Sequence, residues 1–197
     1  MEEWILDIPN ELVEYHIFPH CQGRLLLPLC LVSKFWNRYI PKCIVILDLE
    51  FNNTITDASV SRLTNLTSLG LPYNKMITDA SVSLLVNLTS LNLFDNKMIT
   101  DASVSLLVNL TSLDLSYIER ITDASVSLLV NLTSLNLGYN KMITDASVSV
   151  LTNLAFLNLF HNTMITDASV SLLVNLDRKS TRLNSSHVAL SRMPSSA

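Results

Sequence analysis

Leucine, isoleucine and valine recur at fixed places along most of this chain, and the places themselves repeat. Ile-Thr-Asp begins at residues 55, 77, 99, 121, 143 and 165, a constant period of 22, and everything from Ile44 to Asn175 fits it. In one unit Leu88, Leu91, Leu93, Asn96, Ile99, Val104 and Leu107 are followed by Leu110, where the next unit begins. The pattern is LxxLxLxxNxxI, a spacer, then VxxL. Leu91-x-Leu93 has the alternation of a strand, whereas Val104 and Leu107 are spaced as one helical turn. Each unit is therefore predicted to be a short strand, a turn and a short helical return. No unit can bury its leucines alone, so the units must stack, each strand pairing in parallel with the next at about 4.8 Å. Six units make a short curved solenoid, roughly 29 Å along the stack.

Those residues resemble the leucine-rich repeat family, specifically its short repeats with Ile-Thr-Asp after the asparagine, over residues 44–176. The resemblance implies an α/β solenoid with a short parallel sheet on its concave face and short helical returns outside. In such proteins recognition usually sits on that face, at the x positions of LxLxx. Here they are Asp48, Glu50, Phe51; Gly70, Pro72, Tyr73; Asn92, Phe94, Asp95; Asp114, Ser116, Tyr117; Asn136, Gly138, Tyr139; and Asn158, Phe160, His161. They vary while the returns are nearly invariant. Aromatic and acidic side chains on a rigid face suit protein recognition, and Tyr73, Phe94, Asp95, Tyr117, Tyr139, Phe160 and His161 are the expected target-binding residues. An acidic face argues against a nucleic-acid partner.

The invariant polar positions have structural and functional readings. Asp57, Asp79, Asp101, Asp123, Asp145 and Asp167 form a carboxylate row that could hold calcium, but Thr and Asp capping the helical return explains it without metal. Asn52, Asn74, Asn96, Asn140 and Asn162 stand where the strand turns and are expected to bond buried backbone groups of neighbouring units. Ile118 takes that place in the fourth unit, which predicts a local fault. Met76, Met98, Met142 and Met164 read as core or edge filling rather than a soft-metal stripe. Asn65, Asn87, Asn109 and Asn131 open Asn-Leu-Thr, a formal glycosylation acceptor.

Before Ile44 the period is absent. Ile8-Pro9-Asn10-Glu11-Leu12, Ile17-Phe18, and the run from Leu25 through Pro28 to Trp36 read as short amphipathic helices, a small cap on the solenoid. They resemble an F-box, the helical motif that docks a protein on the Skp adaptor of cullin-RING ubiquitin ligases. Ile8-Pro9 and Glu11-Leu12 match its opening, Ile17-Phe18 its helix end, and Leu31-Val32-Ser33-Lys34-x-Trp36 its closing signature. One extra residue between Leu12 and Ile17 rotates the residues beyond it by about 100° on a helix. Pro28 fits a helix beginning near Leu26. The resemblance implies adaptor contacts at Pro9, Leu12, Phe18, Leu26, Val32 and Trp36.

Composition narrows the rest. With 49% hydrophobic and 15% charged residues the chain is expected to fold rather than stay disordered. The acidic start is no secretory signal, Leu25 to Val32 is far shorter than the roughly 20 residues of a membrane span, and three cysteines make no disulfide framework. A cytoplasmic or nuclear protein is expected, whose glycosylation acceptors stay unmodified. His16, His20 and Cys21 lack a paired CxxC, so no metal site is expected. No nucleophile with a base and no phosphate-cradling glycine loop is present, so neither catalysis nor a cofactor is expected. From Asp177 to Ala197 the repeat gives way to Arg and Ser, and residues 177–197 resemble the translation of a common short-read sequencing adapter. A disordered tail is expected there. Residues 1–176 carry 9 Lys and Arg against 16 Asp and Glu, a net charge of −7 in place of −4 for the whole chain. The sixth unit is expected to leave an apolar end prone to association.

The organisation expected is an F-box-like segment at 1–43, six repeats at 44–176 and a tail at 177–197. The function it implies is target recognition within a Skp-cullin-F-box ubiquitin ligase, with a Skp-type adaptor and a target protein as partners. The alternative is a repeat scaffold without a ubiquitin role.

Overall fold

The computed structural model describes residue 42 and residues 44–177. Six strands, β1 Ile46–Asp48, β2 Ser68–Gly70, β3 Ser90–Asn92, β4 Ser112–Asp114, β5 Ser134–Asn136 and β6 Phe156–Asn158, form one parallel sheet in chain order. Every pairing is offset by 22 residues, Leu69 beside Leu91 and Leu91 beside Leu113. Between strands lie single-turn helices: α1 Asp57–Val60, α2 Asp79–Val82, α3 Asp101–Val104, α4 Asp123–Val126, α5 Asp145–Val148 and α6 Asp167–Val170. The expected leucine-rich repeat solenoid is the observed fold. The F-box-like segment and residues 178–197 of the tail lie outside the described residues.

The core is one continuous column. In the third unit Leu88, Leu91, Leu93, Ile99, Val104 and Leu107 are fully buried, and the same positions are buried in the other units. Three rows of side chains tie one unit to the next. In the first, Asn96 donates from Nδ2 to the carbonyls of Leu71 (3.0 Å) and Asn74 (3.2 Å) of the preceding unit. Its Oδ1 accepts from the amides of Met98 and Ile99 in its own unit. Asn74, Asn140 and Asn162 repeat all four bonds, as their place in the pattern predicts.

The second row refines the capping expectation. Thr100 is the N-cap of α3, its hydroxyl accepting from the Ala102 amide at 3.2 Å, and Thr78, Thr122, Thr144 and Thr166 do the same in their units. The aspartate turns away from its own helix. Asp79 accepts from the Thr100 amide (3.0 Å), the Thr100 hydroxyl (2.6 Å) and the Ser103 hydroxyl of the next unit. The carboxylates thus direct their lone pairs at the next unit's donors. Asp167 closes the row, its Oδ1 buried without a hydrogen-bond partner. Burial raises the carboxyl pKa of Asp57 and Asp123, but the serine, threonine and amide donors outweigh it, and both lie below the ordinary value.

The third row is made by the Asn-Leu-Thr tripeptide. Asn87, Asn109 and Asn131 donate from Nδ2 to the carbonyls of Thr64, Val86 and Val108 of the preceding unit. The hydroxyls of Thr89, Thr111 and Thr133 donate to the carbonyls of Thr67, Thr89 and Thr111. The nitrogen that would carry a glycan is therefore used in stacking, a structural reason for Asn-Leu-Thr to recur at this period.

Ile118 breaks the first row as expected. It is buried, but an isoleucine replaces none of the four bonds, and its amide reaches the Leu115 carbonyl at 3.3 Å against 2.8 Å for Asn96 to Leu93. A local substitute bridges the gap, the Arg120 guanidinium donating to the Lys97 carbonyl at 2.9 Å.

Asn96→Ile should cost about 2–4 kcal/mol by stranding four buried backbone groups, whereas Ile118→Asn should change stability by no more than about 1 kcal/mol, since regained bonds offset lost apolar burial. Urea unfolding checks both, and a cost above about 2 kcal/mol for Ile118→Asn would overturn the account. With folded pKa values depressed, the contribution of Asp57 and Asp123 is fully present above the ordinary carboxylate range near pH ~4 and is lost as pH falls through their lowered values. The acid limb of stability measured by thermal unfolding should therefore be shallower in Asp123→Asn.

Candidate recognition surface

The surface is built from the end of each strand. After the second inward leucine the chain must turn sharply, and the turn is made by an outward residue with positive φ. Phe51, Tyr73, Asp95, Tyr117, Tyr139 and His161 hold φ between 47° and 60°. The next residue then donates its amide back across the turn, Asn74 to the Leu71 carbonyl at 3.1 Å and Asn96 to Leu93 at 2.8 Å. Such a position favours glycine or asparagine, and a bulky residue there costs on the order of 1 kcal/mol. Four of the six are nevertheless Phe or Tyr.

Three residues before the turn residue stands a side chain with a local task rather than a recognition role. Asn92 Oδ1 accepts from the Phe94 amide (3.0 Å), Asp114 from Ser116 (2.8 Å), Asn136 from Gly138 and Asn158 from Phe160 (both 3.1 Å). These bonds bend the strand end, as Asp48 does with Glu50. The second unit has Gly70 followed by Pro72, which has no N–H to be accepted. A Cβ on Gly70 would lie 2.8 Å from Asp48 Oδ1, so the smaller residue leaves room for the neighbouring carboxylate.

The rings line up along the stack. Phe51 and Tyr73 are stacked with centroids 4.6 Å apart, Tyr73 meets Phe94 edge-on at 5.2 Å, and Phe94 lies 5.3 Å from Tyr117. Tyr117 and Tyr139 stack at 4.5 Å, and Tyr139 meets both Phe160 (5.5 Å) and His161 (4.7 Å). In the third unit, where Asp95 takes the turn, Phe94 supplies the ring from one residue earlier. All seven expected target-binding residues fall in or beside this ladder, which also takes in Phe51. Asp95 is paired with Lys97 at 2.8 Å, and Lys97 also reaches the Tyr117 carbonyl at 3.3 Å. The presence of Lys97 and Arg120 at this surface goes beyond the expected set. For Arg120 the signal in the sequence is the departure of the fourth unit from consensus, Ile-Glu-Arg in place of Asn-Lys-Met.

The ladder remains open to solvent, Phe51 being 63% and Phe160 48% exposed. Burial against its neighbours, then the Tyr139 hydroxyl, push the Tyr117 hydroxyl pKa up. The expected adaptor contacts Pro9, Leu12, Phe18, Leu26, Val32 and Trp36 lie outside the described residues. The methionines sit at the edge of the stack, Met76, Met142 and Met164 being more than a third exposed. No helix among the described residues is long and apolar enough to cross a membrane.

With this geometry established, comparison with known proteins is direct. Residues 85–108, 128–151 and 150–174 match the family model described as Leucine Rich repeat. The fold is similar to a chain in the crystal structure of the Rad7 and Elc1 complex in yeast, with a TM-score of 0.60 at 20% identity, over 87% of this chain and 46% of that one. It is also similar to the internalins InlF (TM-score 0.57, 23% identity, 78% of this chain and 46% of that one) and InlC2 (0.52, 24%, 70% of each) of Listeria monocytogenes. The chain spans about half the length of the Rad7–Elc1 and InlF chains it matches. No curated protein matches it in sequence. Three stretches of the chain thus match the leucine-rich repeat model, and the described residues have the fold of a leucine-rich repeat solenoid.

If the rings form one coupled surface, Tyr117 should ionise above the ordinary tyrosine value of ~10, and Tyr139→Phe should move it part of the way back. Ultraviolet-monitored titration of a chain keeping only Tyr117 and Tyr139, set against one keeping only Tyr117, measures this, and an unchanged Tyr117 titration on loss of Tyr139 would refute the coupling.

Proposed function

We propose that the protein is a recognition subunit, binding a target protein through the aromatic ladder and a Skp-type adaptor through residues 8–40. The observation that carries the target side is the row of solvent-open rings, of which Phe51, Tyr73, Tyr117, Tyr139 and His161 are held at backbone positions that disfavour them. A solenoid needs none of these rings for stacking, since the asparagine, aspartate and Asn-x-Thr rows already join the units. Aromatic side chains bring large contact area at small entropic cost, and their rigid mounting lowers it further. The adaptor side rests on the F-box-like pattern from Ile8 to Trp36. Similarity to a chain crystallised in the Rad7–Elc1 complex is compatible with a repeat protein of this shape working in an assembly.

The mechanism is proximity rather than chemistry. A receptor of this kind holds a target lysine beside a ubiquitin carrier borne by the ligase, raising its effective concentration. Chemical steps belong to partner enzymes.

Two pull-downs on the full chain test the reading. A purified Skp adaptor should be retained by the wild type and lost in Leu12→Asp, Val32→Asp, with repeat unfolding unchanged. In extracts supplying adaptor and target, Tyr117→Ala, Tyr139→Ala should lose the target at least about 30-fold while keeping the adaptor, the loss expected of central aromatic anchors. A folded wild-type chain that ignores the adaptor would reduce the function to a repeat scaffold.

A further inference from the structure

The returns carry a second surface that target recognition does not use. Past each helix alternate side chains point inward and outward. The outward ones at Leu84, Leu106, Leu128 and Leu172 are 50–53% exposed, with Val108 and Val130 at 48% and 50%. The 22-residue register sets them in a row of five rungs running from residue 84 to residue 174, the third rung being Leu128 with Val130. Residues 80–91, 102–113, 124–135, 146–157 and 168–176 contain no Asp, Glu, Lys, Arg or His. In the first unit Arg62 occupies the corresponding place, and the stripe stops there.

Nine exposed aliphatic side chains present roughly 700 Å² of apolar surface, above the usual size of a patch on a soluble monomer. That is close to the ~800 Å² each partner contributes to a standard interface. Charge then selects the occupant. With 17 acids against 13 bases in the full chain, two copies repel one another at their sheet faces, where Asp48, Glu50 and Asp114 stand. The neutral stripe is the place where they meet without bringing like charges together, and it offers a charged partner no complementarity.

We propose that the stripe is the interface of a two-fold dimer of this chain. Five evenly spaced rungs put the middle one on the axis, Leu128 against Leu128 of the second copy and Leu84 toward Leu172. Such an interface is self-complementary and closes at two copies. Both sheet faces then point outward, giving one assembly two recognition ladders and the avidity that two linked sites bring.

Sedimentation of the full chain should show a discrete monomer–dimer equilibrium. Leu128→Asp should weaken it at least about 30-fold, as expected at an interface centre, while circular dichroism shows an unchanged melt because this side chain is half outside the core. On mild oxidation Leu128→Cys should form a 128–128 disulfide identified by peptide mass spectrometry, and Leu84→Cys should not pair with itself. The proposal is overturned by a monomer at every concentration, by a Leu128→Asp protein that still dimerises, by self-pairing of Leu84→Cys, or by an open series of oligomers. The last outcome marks end-to-end stacking through the sixth unit instead.

Discussion

The structure depends on the need to satisfy buried backbone groups where each strand turns away from the sheet. A turn inside a stack cannot reach water, so every amide and carbonyl at that level must find a partner within the protein. One asparagine per unit meets the need. Its amide nitrogen serves two carbonyls of the unit below, and its oxygen serves two amides of its own unit, as at Asn74 and Asn96. Because those bonds span two units, they set the 22-residue register as well as the turn. The leucine column supplies the cohesive energy, but apolar contact has no direction and does not by itself specify which residue lies over which.

The outcome at Ile118 shows how far that dependence extends. The row fails at one level, yet β4 and β5 pair in the same register as every other neighbouring pair. Asp101 still accepts from Thr122 on one side of the fault, and Asn131 still reaches Val108. Arg120 adds a bond to the Lys97 carbonyl that bridges the two units at the fault. With three rows and a continuous core, stability is a sum over neighbouring pairs, so one weak level is carried by its neighbours.

Period and alternation make the fold legible in the sequence because both are direct projections of geometry. Two inward leucines flanking one outward residue mark a strand, and a constant 22 marks a stack. Less legible is anything whose partner lies in another unit. Asp79 has the position of a cap because it opens a helix, but its acceptors are turned to Thr100 and Ser103. Asn87 has the tripeptide of a glycosylation acceptor, whereas its nitrogen holds Thr64. At 22-residue separation a side chain is next to its partner in space and remote from it in sequence, so local motifs describe it poorly. On the sheet face the alternating pattern places the rings correctly but does not distinguish Asn92 and Asn158, which bend their own strands, from Phe94 and Phe160, which face solvent.

Packing alone does not explain the aromatic turn residues. Positive φ is forced on that position by the turn, and glycine or asparagine would occupy it with less strain. A ring there gains edge or face contact with the ring of the next unit, of the order of 0.5–1.5 kcal/mol for a pair, which roughly cancels the backbone cost. The exchange is near neutral for stability, so stability alone gives no reason for five units out of six to place an aromatic or imidazole ring at this position. What changes substantially is the surface, since each ring puts a large rigid face where a glycine would put backbone. The third unit makes the same point differently. Asp95 takes the turn, and Phe94 from the preceding position fills the gap between Tyr73 and Tyr117, so continuity of the ladder is kept where identity of the turn residue is not. A feature kept through two different local solutions belongs to the assembled surface rather than to any one turn, and it is on this continuity that the proposed recognition of a target rests.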